Sequence, residues 1–240
     1  MSDPESVEEI FPGVYRLPDP KNPSKKLVAT RNLTPGKTYY GERSAKINFL
    51  GQNTEFRLWD PFRSKLSAAI LNGLEVMPFR EGTTCLYLGA STGTTVSHVS
   101  DLVGQKGKIF AVEVASRVAR EFLENVVKYR ANIVPIIADA RQPEKYSSVY
   151  GEISTVYCDI AQPDQTEIAM TNCMRFLDPA KGGTLCLVVK ASSIDALKDK
   201  RQVFDEQLEL LKKSNFDLLQ KIDLEPYDRN HAMIISKMRR

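Results

Sequence analysis

At 240 residues, with 42% hydrophobic and 26% charged residues, the chain is long enough to bury a sizeable core and has the composition of an ordinary soluble globular protein. No apolar run approaches the roughly 20 residues of a membrane span, and the acidic start MSDPESVEEI is no secretory signal, so a cytoplasmic protein is expected. The net charge of +3 hides an uneven distribution: residues 1–20 hold five acids and one base, whereas residues 21–65 hold ten Lys or Arg against Glu42, Glu55 and Asp60. A basic segment of this kind suits a polyanion, or is simply a solvated face.

Residues 10–59 are short alternating runs split by turns, which read as β-hairpins. They are expected to form a small β-rich N-terminal domain, residues 1–59, basic from residue 21 on and packed against the larger remainder of the chain. Asp60-Pro61 looks like an N-cap with proline at the first helical position, and Phe62, Leu66, Ala69, Ile70 and Leu74 continue at helical spacing, predicting a helix over 61–76. From there apolar strands at 84–89, 108–114, 132–138, 153–159 and 184–190 alternate with amphipathic helices near 93–103, 116–129 and 164–177. A helix at 201–214 precedes FDLLQKIDL and HAMIISKM, whose short connection predicts an antiparallel pair at the sheet edge. The pattern is a doubly wound α/β sheet, here assigned to residues 60–240. Cys85, Cys158 and Cys186 sit inside the apolar runs as small hydrophobes, and no C-x-x-C pair suggests zinc or a disulfide.

Ligands of open α/β sheets sit outside the carboxyl ends of the strands, and here the runs end in Gly89, Glu113, Asp139, Asp159 and Lys190, with His231 opening the last strand. Gly89-Ala90-Ser91-Thr92-Gly93 has two readings. It matches the G-x-S-x-G nucleophile elbow, with Asp159 or Asp178 and His231 in hydrolase order. It also suits a glycine turn that lets a nucleotide approach the backbone, although the middle glycine of G-x-G-x-x-G is missing. The elbow reading leaves Glu113, Asp139 and Lys190 without a role. Three carboxylates repel a phosphate and welcome a cation, so S-adenosyl-L-methionine fits better than a dinucleotide. On that reading Gly89, Ala90, Ser91 and Gly93 leave room for the methionine end, and the Thr94 and Thr95 N–H groups face its carboxylate. Glu113 takes the ribose hydroxyls, Asp139 the adenine amino group, Val114 and Ala140 pack on the ring, and Asp159-Ile160-Ala161-Gln162 lies nearest the reacting centre. No metal ligand set is expected.

LYLGASTGTTVSHVSD, CDIAQPDQTEIA, VVKASSID, WDPFRSKL and DLEPYDRNHAMI occur together, and with them the chain resembles the fibrillarin family, archaeal type, from about Asn32 to Met238. The resemblance implies a Rossmann-like class I methyltransferase sheet of seven strands with the last antiparallel. It also implies S-adenosyl-L-methionine-dependent methylation of ribose 2′-hydroxyls in pre-rRNA and tRNA. The partners it implies are a box C/D guide RNA with its target RNA, a Nop-domain scaffold protein and a kink-turn-binding ribosomal-type protein. The family's Lys-Asp-Lys-His set falls on Lys65, Asp159, Lys190 and His231, whereas Ser192 stands where the family typically has arginine. Lys190, crowded by Lys65, is expected to hold or accept the 2′-hydroxyl proton while Asp159 orients it and His231 supports the second lysine. His98, between Val96 and Val99, reads as structural. A non-RNA class I methyltransferase, a hydrolase using Ser91 and an idle RNA-binding subunit are the competing classes.

Overall fold

Short strands rich in β-branched and aromatic residues, separated by turns, pair antiparallel in the first part of the chain. These are β1 (Glu8–Phe11), β2 (Val14–Asp19), β3 (Asn22–Arg31), β4 (Ser44–Phe49) and β5 (Gln52–Leu58), in the spatial order β1-β2-β3-β5-β4. The computed structural model describes residues 7–19, 22–146, 148–178 and 183–239; the first six residues of the acidic start and Lys21 of the basic segment lie outside these. One face of this sheet buries Tyr15, Leu17, Ala29, Ile47, Phe56 and Leu58 as its own small core. Val14, Val28 and Trp59 join the main core instead, so the first sheet is seated on the second.

The second sheet holds β6 (Thr84–Leu88), β7 (Lys108–Glu113), β8 (Ile133–Ile137), β9 (Thr155–Cys158), β10 (Thr184–Lys190), β11 (Phe216–Asp223) and β12 (His231–Met238), ordered β11-β12-β10-β9-β6-β7-β8. Its central strands are apolar throughout because both faces are covered. Cys85, Tyr87 and Tyr157 point into the core shared with α1 (Lys65–Leu71) and α2 (Thr94–Val103). Leu86, Leu88, Val156 and Cys158 point into the core under α4 (Gln165–Phe176) and α6 (Lys200–Lys213). The helix α3 (Ser116–Asn125) follows β7, and α5 (Ala191–Ile194) follows β10. All four cysteines are buried free thiols, and burial pushes Cys158 up to about 12. No helix among the described residues is long and apolar enough to cross a membrane.

One expectation needs correction. The helix expected over 61–76 spans only Lys65–Leu71, with Ser64 at its N-cap. Asp60 caps a turn instead, its carboxylate accepting from Phe62 N–H at 2.9 Å and its carbonyl from Arg63 N–H at 3.2 Å. Gly73, at φ +91°, then ends the helical run early. The last two strands pair antiparallel at the sheet edge as expected, with β12 between β10 and β11 and β11 outermost. Ala232–Ser236 are buried, whereas Asp217, Leu218 and Leu219 of β11 are exposed, as an inner and an outer strand require.

A buried polar network joins the two sheets through α2. His98 is fully buried, stacked on Trp59 at 4.7 Å between ring centroids. Thr30 Oγ1 donates to Asp101 at 2.8 Å, so it accepts from His98 Nδ1 at 2.8 Å, and His98 Nε2 accepts from Tyr40 O–H at 2.7 Å. Burial, with the nearby Arg57 and Arg130 charges, holds the imidazole well below its ordinary 6.5 and keeps it neutral. In the unfolded chain the same group takes up a proton as pH falls below 6.5, so its contribution to stability is present above that value and is lost below it. Between pH 6.5 and 5.5 the unfolding free energy should fall by up to ~1.4 kcal/mol per pH unit on account of His98. Denaturant titrations at several pH values should show a shallower slope for His98→Gln; equal slopes would mean that His98 protonates freely in the folded protein.

Candidate active site

The order β7-β6-β9 places the switch point of the sheet between the carboxyl ends of β6 and β9, where ligands of such folds bind. Asp159 N–H donates to Leu88 O at 2.9 Å there, locking the two strand ends together. At Gly89, with φ +86°, a Cβ would stand 2.4 Å from the Asp159 carbonyl oxygen, so only glycine permits this approach. A cavity of about 260 Å³ opens at these strand ends, bordered by Gly89, Ser91, Glu113, Val114, Asp139, Ala140, Asp159, Ile160, Ala161, Gln162 and Lys190.

Ser91 has φ +50°, and this turn aims its N–H at Glu113 Oε2, 2.8 Å away; Ala115 N–H reaches Oε1 at 2.9 Å. Glu113 is thereby fixed by two backbone donors with lone pairs to spare. Asp139 differs, because Arg141 grips both its oxygens, Nε donating to Oδ1 at 3.1 Å and the terminal nitrogen to Oδ2 at 2.6 Å. Those hydrogen bonds hold its carboxyl below the ordinary range, so it meets a ligand as half of an ion pair.

Beside the cavity lies a chain of alternating charges. Lys190 Nζ is 2.8 Å from Asp159 Oδ1, and Lys65 Nζ is 3.2 Å from Oδ2. Lys65 lies also 3.7 Å from Asp228, whose other oxygen is 2.8 Å from His231 Nδ1. His231 Nδ1 stands 2.7 Å from Arg229 O as well. Lys190 and His231 are cross-strand partners, so the return of β12 beside β10 is what delivers the histidine. Burial pushes Asp159 up, but the Lys65 and Lys190 ammonium groups outweigh it and hold the carboxyl below its ordinary 3.8. Lys190 also donates to the Asp159 carbonyl at 3.3 Å, so one ammonium group bridges the side chain and the backbone of Asp159.

The structure thus brings Lys65, Asp159, Lys190 and His231 into one cluster and sets it against the cavity. Ala90, Gly93, Thr94 and Thr95 do not border the cavity. Ala90 is buried with its N–H on Val112 O. At Gly93 a Cβ would strike the Phe122 ring at 2.5 Å, so this glycine serves helix packing. The Thr95 hydroxyl is 3.0 Å from that of Ser64. The hydrolase set is not assembled: Asp159 is engaged by two lysines, His231 by Asp228, and Asp178 borders a cleft with Thr84 at the opposite strand ends. Sequence reasoning missed Asp228 and Arg141, and Ile168 of α4, which borders the cavity. Asp228 had a signal in its spacing of three from His231 within EPYDRNH.

Sheet order, switch-point cavity and fixed acid after the second parallel strand define a Rossmann-like protein of class I methyltransferase architecture. The fibrillarin family model matches residues 6–240, and the chain belongs to the fibrillarin family. It is 49% identical over 232 residues, 95% of each chain, to the fibrillarin-like rRNA/tRNA 2′-O-methyltransferase of Pyrobaculum calidifontis. A crystal structure of Aeropyrum pernix fibrillarin with natively bound S-adenosyl-L-methionine matches with a TM-score of 0.85 at 40% identity, covering 96% of this chain and 97% of that one. A fibrillarin/Nop5p complex matches with a TM-score of 0.81 at 35% identity, covering 96% of this chain and all of that one.

Proposed function

We propose that this chain transfers the methyl group of S-adenosyl-L-methionine to ribose 2′-hydroxyls of rRNA and tRNA, as the catalytic subunit of a box C/D guide-RNA ribonucleoprotein. The observation that carries the reading is the Asp159 carboxylate at the cavity rim, with one oxygen 2.8 Å from the Lys190 ammonium and the other 3.2 Å from that of Lys65. The residues present fit the cofactor. Glu113 keeps lone pairs for ribose hydroxyls, Val114 and Ile160 offer apolar walls, and the carboxylates suit a cation. When bound, S-adenosyl-L-methionine supplies a methyl group on a cationic sulfur.

A ribose hydroxyl is a weak nucleophile, so the protein must align it and remove its proton. Both ammonium groups stand against the carboxylate, which makes Asp159 rather than Lys190 the acceptor at the centre of the cluster. The carboxylate takes a hydrogen bond from the 2′-hydroxyl and then the proton, which leaves as the O–CH₃ bond forms and the S–CH₃ bond breaks. A carboxylate held below 3.8 is a weak base, sufficient here because the oxygen becomes strongly acidic as it gains the methyl group. Lys190 and Lys65 fix the carboxylate rotamer and neutralise its charge.

The Nop5p complex of a close structural relative supports a Nop-domain scaffold as partner. Guide base pairing supplies sequence specificity, an A-form duplex being read by backbone and shape, and a kink-turn-binding ribosomal-type protein completes the particle. The test is methyl transfer from labelled S-adenosyl-L-methionine to a target RNA, with scaffold, kink-turn protein and guide present or omitted. Label at one guide-specified ribose, absent with a 2′-deoxy target or without guide, is expected. No label in the full assembly, with cofactor binding confirmed, would sink the substrate assignment.

Asp228 holds Lys65 and His231 together, so Asp228→Asn should loosen both. A misplacement of about 1 Å at the reacting centre costs on the order of 100-fold, which bounds the expected loss in transfer rate. Cofactor affinity should stay unchanged, and Asp228→Glu should restore part of the rate. An unchanged rate in Asp228→Asn would remove Asp228 from the working cluster.

A further inference from the structure

Phe62 is 69% exposed, and Tyr227 meets it edge-on with ring centroids 5.2 Å apart and planes at 72°. The two rings belong to the two segments that carry the catalytic cluster. Phe62 lies three residues before Lys65, and Tyr227 immediately precedes Asp228, which touches both Lys65 and His231. The backbone under Phe62 is tied down by the Asp60 carboxylate at 2.9 Å, so the ring is presented on a fixed turn.

Both rings border a cleft of about 400 Å³ that is also bordered by Lys25, Lys26 and Arg63, Lys26 lying 3.4 Å from Glu8. The acids of this cleft already have partners: Asp19 meets Arg43 at 3.3 Å, Glu42 meets Arg57 at 2.6 Å, and Asp60 holds the Phe62 N–H. Arg63 lies 4.8 Å over the Tyr40 ring and donates to Tyr40 O at 2.7 Å, which fixes its position at the cleft. An aromatic pair flanked by cations and carried on the two segments that supply Lys65 and Asp228 matches one ligand class, the nucleosides and phosphates of an RNA strand.

We infer that Phe62 and Tyr227 form a nucleoside platform, which packs on the target-strand nucleoside beside the reacting ribose while the cleft cations hold the adjoining phosphates. The inference rests on the RNA reading above and adds the contact that positions the acceptor. Aromatic contacts tolerate any base, because every base and sugar presents an apolar face. A guided enzyme needs that tolerance, since its sequence choice is made by base pairing. An exposed aromatic pair also suits a protein partner; the cleft cations and the place of both rings on the segments that carry Lys65 and Asp228 favour RNA.

The experiment uses the assembled particle with wild-type, Phe62→Ala and Phe62→Trp chains, and a target RNA carrying 4-thiouridine next to the acceptor nucleotide. Phe62→Ala is expected to raise the target-RNA KM roughly 5- to 100-fold, the range for a lost base–aromatic contact, while Phe62→Trp retains near wild-type KM. Cofactor affinity and scaffold binding should not change. Ultraviolet crosslinks from the thiouridine should map to Phe62 or Tyr227 and disappear in Phe62→Ala. Crosslinking without methyl transfer would retain the platform and sink the proposed reaction. Methyl transfer with an unchanged KM and no such crosslink would overturn the platform and leave the reaction standing. Loss of scaffold binding in Phe62→Ala with the RNA KM unchanged would assign the pair to a protein contact and likewise overturn it.

Discussion

Asp159→Asn is expected to lower guided methyl transfer roughly 10²- to 10⁴-fold, the usual contribution of a positioned proton acceptor. Asparagine has nearly the same shape but cannot take the proton, and it removes the anion that Lys65 and Lys190 share at 3.2 and 2.8 Å. Those side chains are only 21% and 15% exposed, so their repulsion is poorly screened once the carboxylate is gone, and Asp228 at 3.7 Å reaches Lys65 alone. Single-turnover transfer, measured beside equilibrium cofactor binding, separates the chemistry from occupancy: the rate should fall far more than the affinity. The pH dependence has a definite sign. Asp159 is held below 3.8, so its protonation introduces no acid limb into the rate above about pH 4. Its contribution to stability is likewise present above its unfolded value and is lost as pH falls through the lower folded one. An Asp159→Asn rate within tenfold of wild type, with Lys190→Ala inactive, would return the proton-accepting role to Lys190.

The contrast between Asp159 and Asp228 shows what a sequence discloses. Asp159 ends an apolar run, and the Gly89 turn ends another, so strand-end logic alone places both at the ligand edge. That Lys65, 94 positions earlier, closes on the same carboxylate is not periodic information; it depends on how α1 packs over the sheet. Asp228 sits in a loop, where an acid reads as solvated, and only the pairing of Lys190 with His231 turns that loop toward the cluster. The strand order at the sheet edge is partly legible. HAMIISKM is apolar enough to be covered on both faces and FDLLQKID is not, yet a hairpin of either order satisfies the short connection. Helix length is ambiguous because Pro61 and Asp60 serve equally well in a capped turn and in a helix start. The roles of the two glycines also diverge only in three dimensions. Gly89 admits the Asp159 carbonyl, whereas Gly93 admits the Phe122 ring.

Arg57→Met should produce the largest loss of stability, because Arg57 is the cation at the centre of the junction between the two sheets. Its side chain is fully buried, with Glu42 and Asp101 each 1% exposed beside it. The guanidinium donates to Glu42 at 2.7 Å, Asp101 at 2.8 Å, the Ser97 carbonyl at 3.1 Å and the Ser97 hydroxyl at 2.8 Å. Methionine fills part of the volume but leaves two buried carboxylates short of their cation, which costs roughly 3–5 kcal/mol. For a chain of this size that corresponds to a fall in Tm of roughly 6–20 °C. Asp101 retains Arg130 and the Leu33 N–H at 2.9 Å. Glu42 retains the Tyr39 and Tyr40 N–H groups but no second cation among the described residues, so it carries most of the penalty. Burial pushes the Glu42 carboxyl up, and Arg57 with those N–H groups outweighs that effect and holds it below its ordinary 4.5. Without Arg57 the burial effect prevails, the carboxyl rises, and the folded variant binds a proton that the unfolded chain does not. The variant therefore gains on wild type as pH falls, and Glu42→Gln in the Arg57→Met background should recover part of the loss at neutral pH. Equal deficits at pH 5 and pH 8, with no recovery in the double variant, would show that Arg57 acts through packing on the Tyr39 ring, 4.6 Å away, rather than through Glu42.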